Sequence, residues 1–405
     1  MENILSLTTE QLSIIVSDLE RKINNGLSEN GQEIKCLPTY IKPVREISSG
    51  KCLVLDWGGT NFRAAIVEFF VDKAPEIIEC AVTELSAEKT QGFKREDLFK
   101  AMTAEIKKLK QLDKNIKRIG FCFSFAIESL PDGDAKPLNL AKGFVIEGIL
   151  GSAVGKPLLQ YLNDNVDHAN FEKIAVINDT IACLFGGLSK AKSDYDAYLG
   201  LIVGTGTNMA SSMQADKIKK LNIKEGDILI NTESGNFNPP FLTYIDNLID
   251  ADTPNKGKHR FEKAISGKYL GRIFKLMFPY DEFYPEDFDS GTLNEIVNYP
   301  DIYKEKYVDA ARCIFERSAK LVAASLAGMI FVLKSQNKRL EKVLLTAEGS
   351  LFWCEDKRGT DYHKVVLREL NRLLVEKDYA DITVEICKVT DANMIGSAIA
   401  AFSLA

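Results

Sequence analysis

Two stretches of the chain repeat one pattern: an apolar strand, a turn with glycines, a Thr-Asn pair and a second apolar strand. The first runs from Leu53 to Val67 and the second from Tyr198 to Ala210. Within them, Gly59-Thr60-Asn61 and Gly206-Thr207-Asn208 coincide in register. Glycines let a chain reverse tightly and leave backbone N–H groups open to a ligand. One such hairpin is also consistent with an ordinary turn, but two with the same turn chemistry predict a duplicated core with a cleft between its halves.

The first hairpin carries groups that suit a phosphate. The backbone N–H groups of its turn, the Thr60 hydroxyl and the Arg63 guanidinium are expected to face one spot. Asp56 stands at the end of the first strand, where a carboxylate can hold Mg²⁺ through water. The pattern therefore favours a site for a phosphate and its metal ion.

Length and composition narrow the class of protein. At 405 residues the chain exceeds what one core usually supports, so we expect two domains. The net charge is −6 with basic residues scattered among acidic ones, which argues against a nucleic-acid partner or a polybasic membrane surface. The eight cysteines form no C-x-x-C pair and no cysteine–histidine cluster, so a reducing compartment is favoured over disulfides or zinc.

The chain shows no targeting pattern. It begins Met-Glu-Asn without the features of a signal peptide. The longest uncharged run, Leu321 to Leu333, is too short to cross a bilayer and fits a buried helix. We therefore expect a soluble protein of the cytoplasm.

A third stretch places polar groups at the end of a buried strand. The apolar run Ile174 to Ile177 is followed directly by Asn178 and Asp179. An entirely apolar run argues for a central strand of an α/β sheet, and ligands bind where such strands end. Small residues follow as a helix, so the Asn-Asp pair also fits an ordinary helix cap.

Hydrophobic periodicity predicts several further elements. A helix is expected over 8–27, with Thr8 or Thr9 as its N-cap and Gly26 as its end. Another is expected over 261–271, and residues 281–300, which are acidic and polar, predict a surface insertion.

Taken in order, the motifs resemble those of the eukaryotic-type hexokinases and glucokinases. The resemblance rests on segments that keep the family's order over most of the chain: Leu37-Pro38-Thr39-Tyr40, the first hairpin, Phe123-Ser124-Phe125, Lys142-Gly143-Phe144, Asn178-Asp179-Thr180, Gly200 to Asn208, Asn231-Thr232-Glu233, Phe261-Glu262-Lys263 and Glu348-Gly349-Ser350. That family has the duplicated ribonuclease-H-like fold of the actin-like ATPases. The resemblance implies an α/β protein of two such domains, with mixed five-stranded sheets flanked by helices and an active site in the inter-domain cleft.

The resemblance also implies a division of the chain. The N-terminal helix and extended segment at 1–45 would pack on the large domain. The small domain would span 50–177 and be completed by 396–405, and the large domain would span 178–395.

The implied activity is ATP-dependent transfer of a phosphoryl group to the 6-hydroxyl of a hexose, the first step of glycolysis. Glucose is the expected substrate, and mannose and fructose are the next candidates. Such a transfer needs a base, charge stabilisation and exclusion of water. Asp179 has the implied role of the base, and Lys142 resembles the lysine that reaches the hydroxymethyl end of the sugar and the incoming phosphate. The implied sugar-binding set is Ser124, Lys142, Asn178, Asp179, Asn208, Glu233 and Glu262. The implied partners are a hexose, ATP and Mg²⁺, without nucleic acid or membrane, for a monomer or homodimer.

On the donor side the resemblance covers three turns. The implied donor-binding residues are Asp56, Gly58, Gly59, Thr60, Asn61 and Arg63 in the first phosphate hairpin, Gly204, Thr205 and Gly206 in the second, and Gly349 and Ser350 in the adenosine-side turn. Mg²⁺ would bridge the β- and γ-phosphates and be held through water by Asp56 or Asp179.

The chain departs from the family's pattern at several positions. Around the sugar, Ala126, Leu140, Ala141 and Ser234 replace a Pro, a Trp, a Thr and a Trp, and His259 stands where a glutamine is usual. On the donor side, Val-Asp-Gly-Ser reads Ala347 to Ser350, and Gly-Ser-Gly-Lys-Gly reads Ala392 to Gly396. These changes put sugar choice and donor preference in doubt.

A nucleotide-binding protein of the actin type, or a sugar sensor without kinase activity, is the alternative function. An actin-like scaffold has no reason to keep the sugar-binding set. A sensor without activity would be expected to lose Asp179 or Lys142, and both are present.

Overall fold

The computed structural model describes residues 4–42, 47, 49–71, 73–140, 143–189, 195–281, 288–357 and 361–404. In this part of the chain the strands are β1 (Leu37–Thr39), β2 (Gly50–Trp57), β3 (Asn61–Phe69), β4 (Glu76–Glu84), β5 (Arg118–Phe123), β6 (Ile127–Ser129), β7 (Ala135–Pro137), β8 (Lys173–Ile177), β9 (Ala197–Val203), β10 (Thr207–Gln214), β11 (Asp227–Asn231), β12 (Lys342–Glu348) and β13 (Thr383–Cys387). The α-helices are α1 (Thr9–Ser28), α2 (Arg95–Ile106), α3 (Gly155–Asn165), α4 (Asp179–Leu188), α5 (Tyr244–Ala251), α6 (Arg260–Ile265), α7 (Gly267–Met277), α8 (Ser290–Asn298), α9 (Glu305–Gln336), α10 (Tyr362–Glu376) and α11 (Ala392–Ser403).

The two large sheets have the same topology. The first has five strands in the order β4-β3-β2-β5-β8, in which β2 to β4 form an antiparallel meander and β5 and β8 add in parallel. The second repeats this plan as β11-β10-β9-β12-β13. The predicted duplication is therefore confirmed, and the glycine hairpins join the antiparallel pairs β2–β3 and β9–β10.

The second sheet has one strand more than predicted. The segment Leu37–Thr39 pairs antiparallel with β11 and extends the sheet to six strands. Its sequence predicts only an extended segment, and the pairing arises because the edge of β11 offers unpaired backbone groups.

Two helices cross between the sheets. α4 follows β8 of the first sheet but packs on β9 and β12 of the second, whereas α11 follows β13 of the second sheet but packs on β2 and β5 of the first. The two helices also pack on each other. Their approach is close because a Cβ atom at Gly396 would lie 1.8 Å from the Ala182 carbonyl oxygen, and one at Gly186 would lie 2.8 Å from that of Ala392. The predicted domain bounds, which assign 396–405 to the first half, stay a prediction.

Three predictions of local structure were wrong in detail. Gly26 does not end α1, which continues to Ser28. A Cβ atom at Gly26 would lie 1.9 Å from the Ile34 carbonyl oxygen, so this glycine permits close packing of the next segment. The helix expected over 261–271 is divided at Ser266 into α6 and α7. The second half of the expected surface insertion forms α8, whose apolar residues are buried, while 282–287 lie outside the described residues.

The uncharged run 321–333 lies inside α9, as predicted for a buried helix. α9 has 32 residues and is long and apolar enough to cross a membrane by those criteria alone. In the structure 83% of its most apolar window is buried within the protein, and it packs against α1 and α10. The core position of the helix accounts for its composition.

The substitution Gly396→Ala tests the contact between α4 and α11. In a helix, alanine ordinarily stabilises by about 0.5–1 kcal/mol relative to glycine. Because the added methyl would overlap the Ala182 carbonyl, we expect instead that the free energy of unfolding falls by about 1–3 kcal/mol. Urea unfolding measures the difference. Ser403→Ala, at the end of the same helix, is the control and should change stability by no more than about 1 kcal/mol. A stabilised Gly396→Ala protein would contradict the packing described here.

Candidate active site

Asp179 is the first residue of α4, directly after the end of β8. The Asn178 side chain caps this helix: its Oδ1 accepts from the Thr180 N–H at 2.9 Å, and its Nδ2 donates to the Phe125 carbonyl at 3.2 Å. Asp179 Oδ1 accepts from the same Thr180 N–H at 2.8 Å, and the residue is half-buried. The cap interpretation is therefore right for Asn178. It leaves the Asp179 carboxylate at a helix N-terminus, where a negative charge is stabilised.

In the first hairpin, Asp56 and Arg63 face each other across β2 and β3. The Arg63 guanidinium donates to Asp56 Oδ2 from Nε at 3.0 Å and from Nη2 at 2.5 Å, and its Nη1 donates to Asp391 Oδ1 at 3.1 Å. Burial lowers the pKa of Arg63, but the carboxylates of Asp56 and Asp391 outweigh it and hold the pKa above its usual value. Arg63 is thus a permanent cation that binds two carboxylates in this structure, and its contact with a phosphate stays a prediction.

The other predicted residues of this hairpin form its turn. Gly58 N–H donates to the Asn61 carbonyl at 3.1 Å, and the Thr60 carbonyl accepts from the Leu85 N–H at 2.8 Å. Thr60 and Asn61 are exposed, while Gly58 and Gly59 are half-buried. The turn is thus held by its own backbone and by the chain after β4.

The second hairpin is closed by a bond from the Gly204 N–H to the Gly206 carbonyl at 2.9 Å, with Thr205 exposed at its tip. The Gly204 carbonyl accepts from the Gly267 N–H, at the start of α7, at 2.7 Å. A Cβ atom at Gly206 would lie 2.7 Å from Glu262 Oε2. A side chain at position 206 would therefore displace the Glu262 carboxylate.

The predicted adenosine-side turn packs on the same hairpin. Gly349 has a φ of +114°, and a Cβ atom there would lie 2.2 Å from the Val203 carbonyl oxygen. Conversely, a Cβ atom added at Gly204 would lie 3.3 Å from the Cα of Gly349. Ser350, the next residue, is exposed. Both the backbone conformation and the lack of space require glycine at position 349.

The predicted sugar-side residues of the second half form a connected network. Asn208 Nδ2 donates to Asn231 Oδ1 at 2.7 Å, and Asn231 Nδ2 donates to Glu233 Oε1 at 2.9 Å. Glu262 Oε2 accepts from the Thr207 N–H at 3.2 Å. Burial raises the pKa of Glu233, and the charges of Asp179 and Glu262 raise it further. Asp179, Glu233 and Glu262 come from different elements and are therefore near enough for their charges to interact.

Of the predicted sugar-binding residues Ser124 and Lys142, the structure describes only Ser124. Ser124 follows β5, is half-buried, and donates its N–H to the Trp57 carbonyl at 3.2 Å, next to the first hairpin. Lys142 and Ala141 lie outside the described residues, so the role of Lys142 stays a prediction. The following Phe144 is buried against Trp57 at 5.2 Å between ring centroids.

Family models for hexokinase match two parts of the chain, residues 1–188 and residues 198–280 together with 292–403. The chain belongs to the hexokinase family. It is 29% identical to Hexokinase-2 of Schizosaccharomyces pombe over 82% of this chain and 74% of that protein. It is 30% identical to Hexokinase-3 of Mus musculus over 66% of this chain, and 28% identical to the Glucokinase of Aspergillus niger over 64%. These two matches cover only 29% and 59% of those relatives.

Solved structures show the same fold. A hexokinase from Schistosoma mansoni, complexed with glucose, superposes with a TM-score of 0.80 at 24% identity and covers 99% of this chain and 97% of that one. A ROK family glucokinase from Streptomyces griseus, in complex with glucose and AMPPNP, superposes with a TM-score of 0.57 at 16% identity, over 87% of this chain and 99% of that one. The predicted two-domain, actin-like architecture of the hexokinase family is confirmed.

Sequence reasoning assigned no role to three residues of this hexokinase-family site. Asp391 binds Arg63, and Asn231 joins Asn208 to Glu233. Burial raises the pKa of Glu348 to about 7, with Asp179 and Asp56 adding to the rise and Arg63 opposing it, so Glu348 lies near all three. Asn231 and Glu348 each had a signal in the sequence, because they stand in the Asn-Thr-Glu and Glu-Gly-Ser motifs, whereas Asp391 had none.

His259, which replaces the usual glutamine, is expected to make stability depend on pH. Burial and the charges of Lys35, Lys263 and Lys258 lower its pKa below 6.5 in the folded state. The unfolded chain therefore takes up a proton more readily as the pH falls below about 6.5, which favours unfolding. His259→Gln should lose less thermal stability than wild type when the pH is lowered from neutral to about 5.5.

Thermal melts across this pH range measure the effect. His168→Gln is the matched control, because His168 is exposed and has the same left-handed backbone conformation. An equal acid sensitivity in wild type and His259→Gln would show that His259 is not responsible.

Proposed function

We propose that this protein is an ATP-dependent hexokinase that transfers the γ-phosphoryl group of Mg-ATP to the 6-hydroxyl of a hexose. The observation that carries the proposal is the position of Asp179, which is the first residue of α4 directly after the end of β8, where the Asn178 side chain caps the helix. Membership of the hexokinase family supports the reaction class, and the glucose in the Schistosoma mansoni structure supports glucose as substrate. Mannose and fructose are the next candidates. A cytoplasmic location and a monomeric or homodimeric state stay predictions.

Asp179 is the proposed general base. Its Oδ1 accepts from the Thr180 N–H at the N-terminus of α4, and an ionised carboxylate in this position can accept a proton. It would take the proton of the sugar 6-hydroxyl as that oxygen attacks the γ-phosphorus. Lys142, the implied contact to the sugar and the phosphate, would stabilise charge at the same place.

The sugar would be bound by amides and carboxylates that are already held in place. Asn208 and Glu233 are connected through Asn231, and Glu262 is fixed by the Thr207 N–H. Such groups bond the hydroxyls of a hexose and reject analogues that leave them unpaired. Ser124 and Asn178 would complete the set from the first half.

The donor would lie across the two hairpins and the turn at Gly349. A cavity of about 390 Å³ is lined among others by Asn294 of α8, Arg312 of α9 and Cys354. None of the predicted donor-binding residues lines it, so it is not assigned to the donor.

The residues present fit the Mg²⁺ ion that accompanies ATP. Asp56 Oδ1 is buried and accepts no hydrogen bond from a described residue, which leaves it available to a metal-bound water. No three His, Cys, Asp or Glu side chains converge as direct metal ligands among the described residues, so contact through water to Asp56 or Asp179 is the proposed mode. When bound, Mg²⁺ neutralises charge on the β- and γ-phosphates.

Domain closure on the sugar would keep water from the γ-phosphate. The two sheets carry different parts of the site, with Asp56 on the first and Asn208 on the second. A movement of one half toward the other, with α4 and α11 between them, would bring these parts together.

A coupled assay of ADP release with glucose, mannose, fructose and N-acetylhexosamines tests the proposal. Asp179→Asn should lower kcat by roughly 10²- to 10⁴-fold, because the amide cannot accept the proton. Glucose binding, measured by calorimetry, should persist within about tenfold, since the other contacts remain. Asp164→Asn, an exposed change on α3, is the control and should keep the wild-type rate.

Two outcomes would reject the proposal. One is that no sugar gives ADP release above background, and the other is that Asp179→Asn keeps the full rate. Binding of sugar and nucleotide without turnover would support the alternative function, a sugar sensor without kinase activity. Membership of the hexokinase family does not favour that alternative.

Gly349→Ala tests the donor-side turn. The added methyl would overlap the Val203 carbonyl, so the turn and the second hairpin must move apart. We expect the KM for ATP to rise at least about tenfold while the KM for glucose changes little. Gly148→Ala is the matched control, because Gly148 also has a positive φ of +80° but no atom within 4 Å of the added methyl. A rise in the KM for glucose alone would contradict the assignment.

A further inference from the structure

The two donor-side departures from the family's pattern meet in space. One lies at 347–350 and the other at 392–396. The side-chain amide of Asn393 faces two acceptors, Glu348 Oε2 at 2.8 Å and the Asp179 backbone carbonyl at 2.9 Å. Since the Asp179 backbone carbonyl can only accept a hydrogen bond, the amide nitrogen is assigned to this side. Asn393 therefore bonds both of them.

These bonds join three elements at the proposed base. Glu348 is the last residue of β12, Asn393 lies in the first turn of α11, and Asp179 is the first residue of α4. The Asp179 carbonyl belongs to the same residue as the carboxylate that would take the proton. A bond to that carbonyl helps to fix the backbone position from which the carboxylate projects.

Packing keeps the amide in place. The contacts of Gly396 with Ala182 and of Gly186 with Ala392 hold α11 on α4 on either side of Asn393. Glu348 is half-buried, and a carboxylate in such a place needs a hydrogen-bond donor. Asn393 supplies that donor, and the close packing of α11 on α4 holds it in place.

We propose that Asn393 is a positioning residue for Asp179 and that Glu348 is the acceptor that orients its amide. The two departures from the family's pattern are then a matched pair. The proposal rests on the proposed hexokinase function. Its consequence is that loss of either partner releases the first residue of α4, and a misplacement of about 1 Å at a reacting group costs roughly 10²-fold in rate.

Asn393→Asp is the sharpest variant, because it keeps the size of the side chain but turns an acceptor toward two acceptors. We expect kcat to fall about 10- to 100-fold, with the KM values for glucose and ATP within about threefold of wild type. Glu348→Ala should give a similar loss of kcat. Glu348→Gln should keep most of the wild-type kcat, because the amide oxygen of the new side chain still accepts from Asn393.

A double-mutant cycle separates positioning from general damage. Glu348→Ala and Asn393→Ala together should cost little more than the worse single change, since each already breaks the same arrangement. Thermal melts and glucose calorimetry on every variant show whether the fold and the sugar site are intact. If Asn393→Asp does not fold, the comparison of Glu348→Ala with Glu348→Gln decides.

The inference is overturned if Asn393→Asp keeps the wild-type kcat, if Glu348→Gln is as impaired as Glu348→Ala, or if the effects of the double change simply add. Each of these results would leave the proposed function standing, because wild type would still phosphorylate a sugar. A wild-type protein without sugar-dependent ADP release would overturn both proposals.

Discussion

The close approach of α4 and α11 is the contact on which the rest of the site depends. Two glycines allow it, because each faces a backbone carbonyl of the other helix where a methyl group has no room. α4 begins with Asp179, and α11 carries Asn393 and follows Asp391, the partner of Arg63. Asp179, which is the proposed base, the Asn393 amide and Asp391 therefore share one interface, and a shift of either helix moves all three.

Acidic side chains are concentrated near the contact between α4 and α11. Asp56, Asp179 and Glu348 lie close enough to influence one another, and Arg63 neutralises part of their charge by pairing with Asp56 and Asp391. A carboxylate-rich region repels a free nucleotide triphosphate, and a divalent cation offsets that repulsion. This distribution of charge is consistent with the proposal that the donor binds together with Mg²⁺.

The duplicated sheets and both glycine hairpins could be predicted from the sequence, because turn chemistry and apolar strands are local signals. The position of Asp179 at a strand end followed from the same reasoning. The contact between Glu348 and Asn393 could not be predicted, since it depends on how two distant elements pack. For the same reason the pattern took Gly26 as a helix end, although its role is to let Ile34 approach, and it gave no sign that Leu37–Thr39 pairs with β11.

The exchange of helices between the sheets has a consequence for how the chain is made. The first sheet is complete in sequence by Ile177, yet one of its faces is covered by α11, which ends at Ser403. During synthesis that apolar face has no native cover until the second sheet and α11 have also been made. The folding of the first sheet is thus tied to a helix that follows the whole second sheet in the chain.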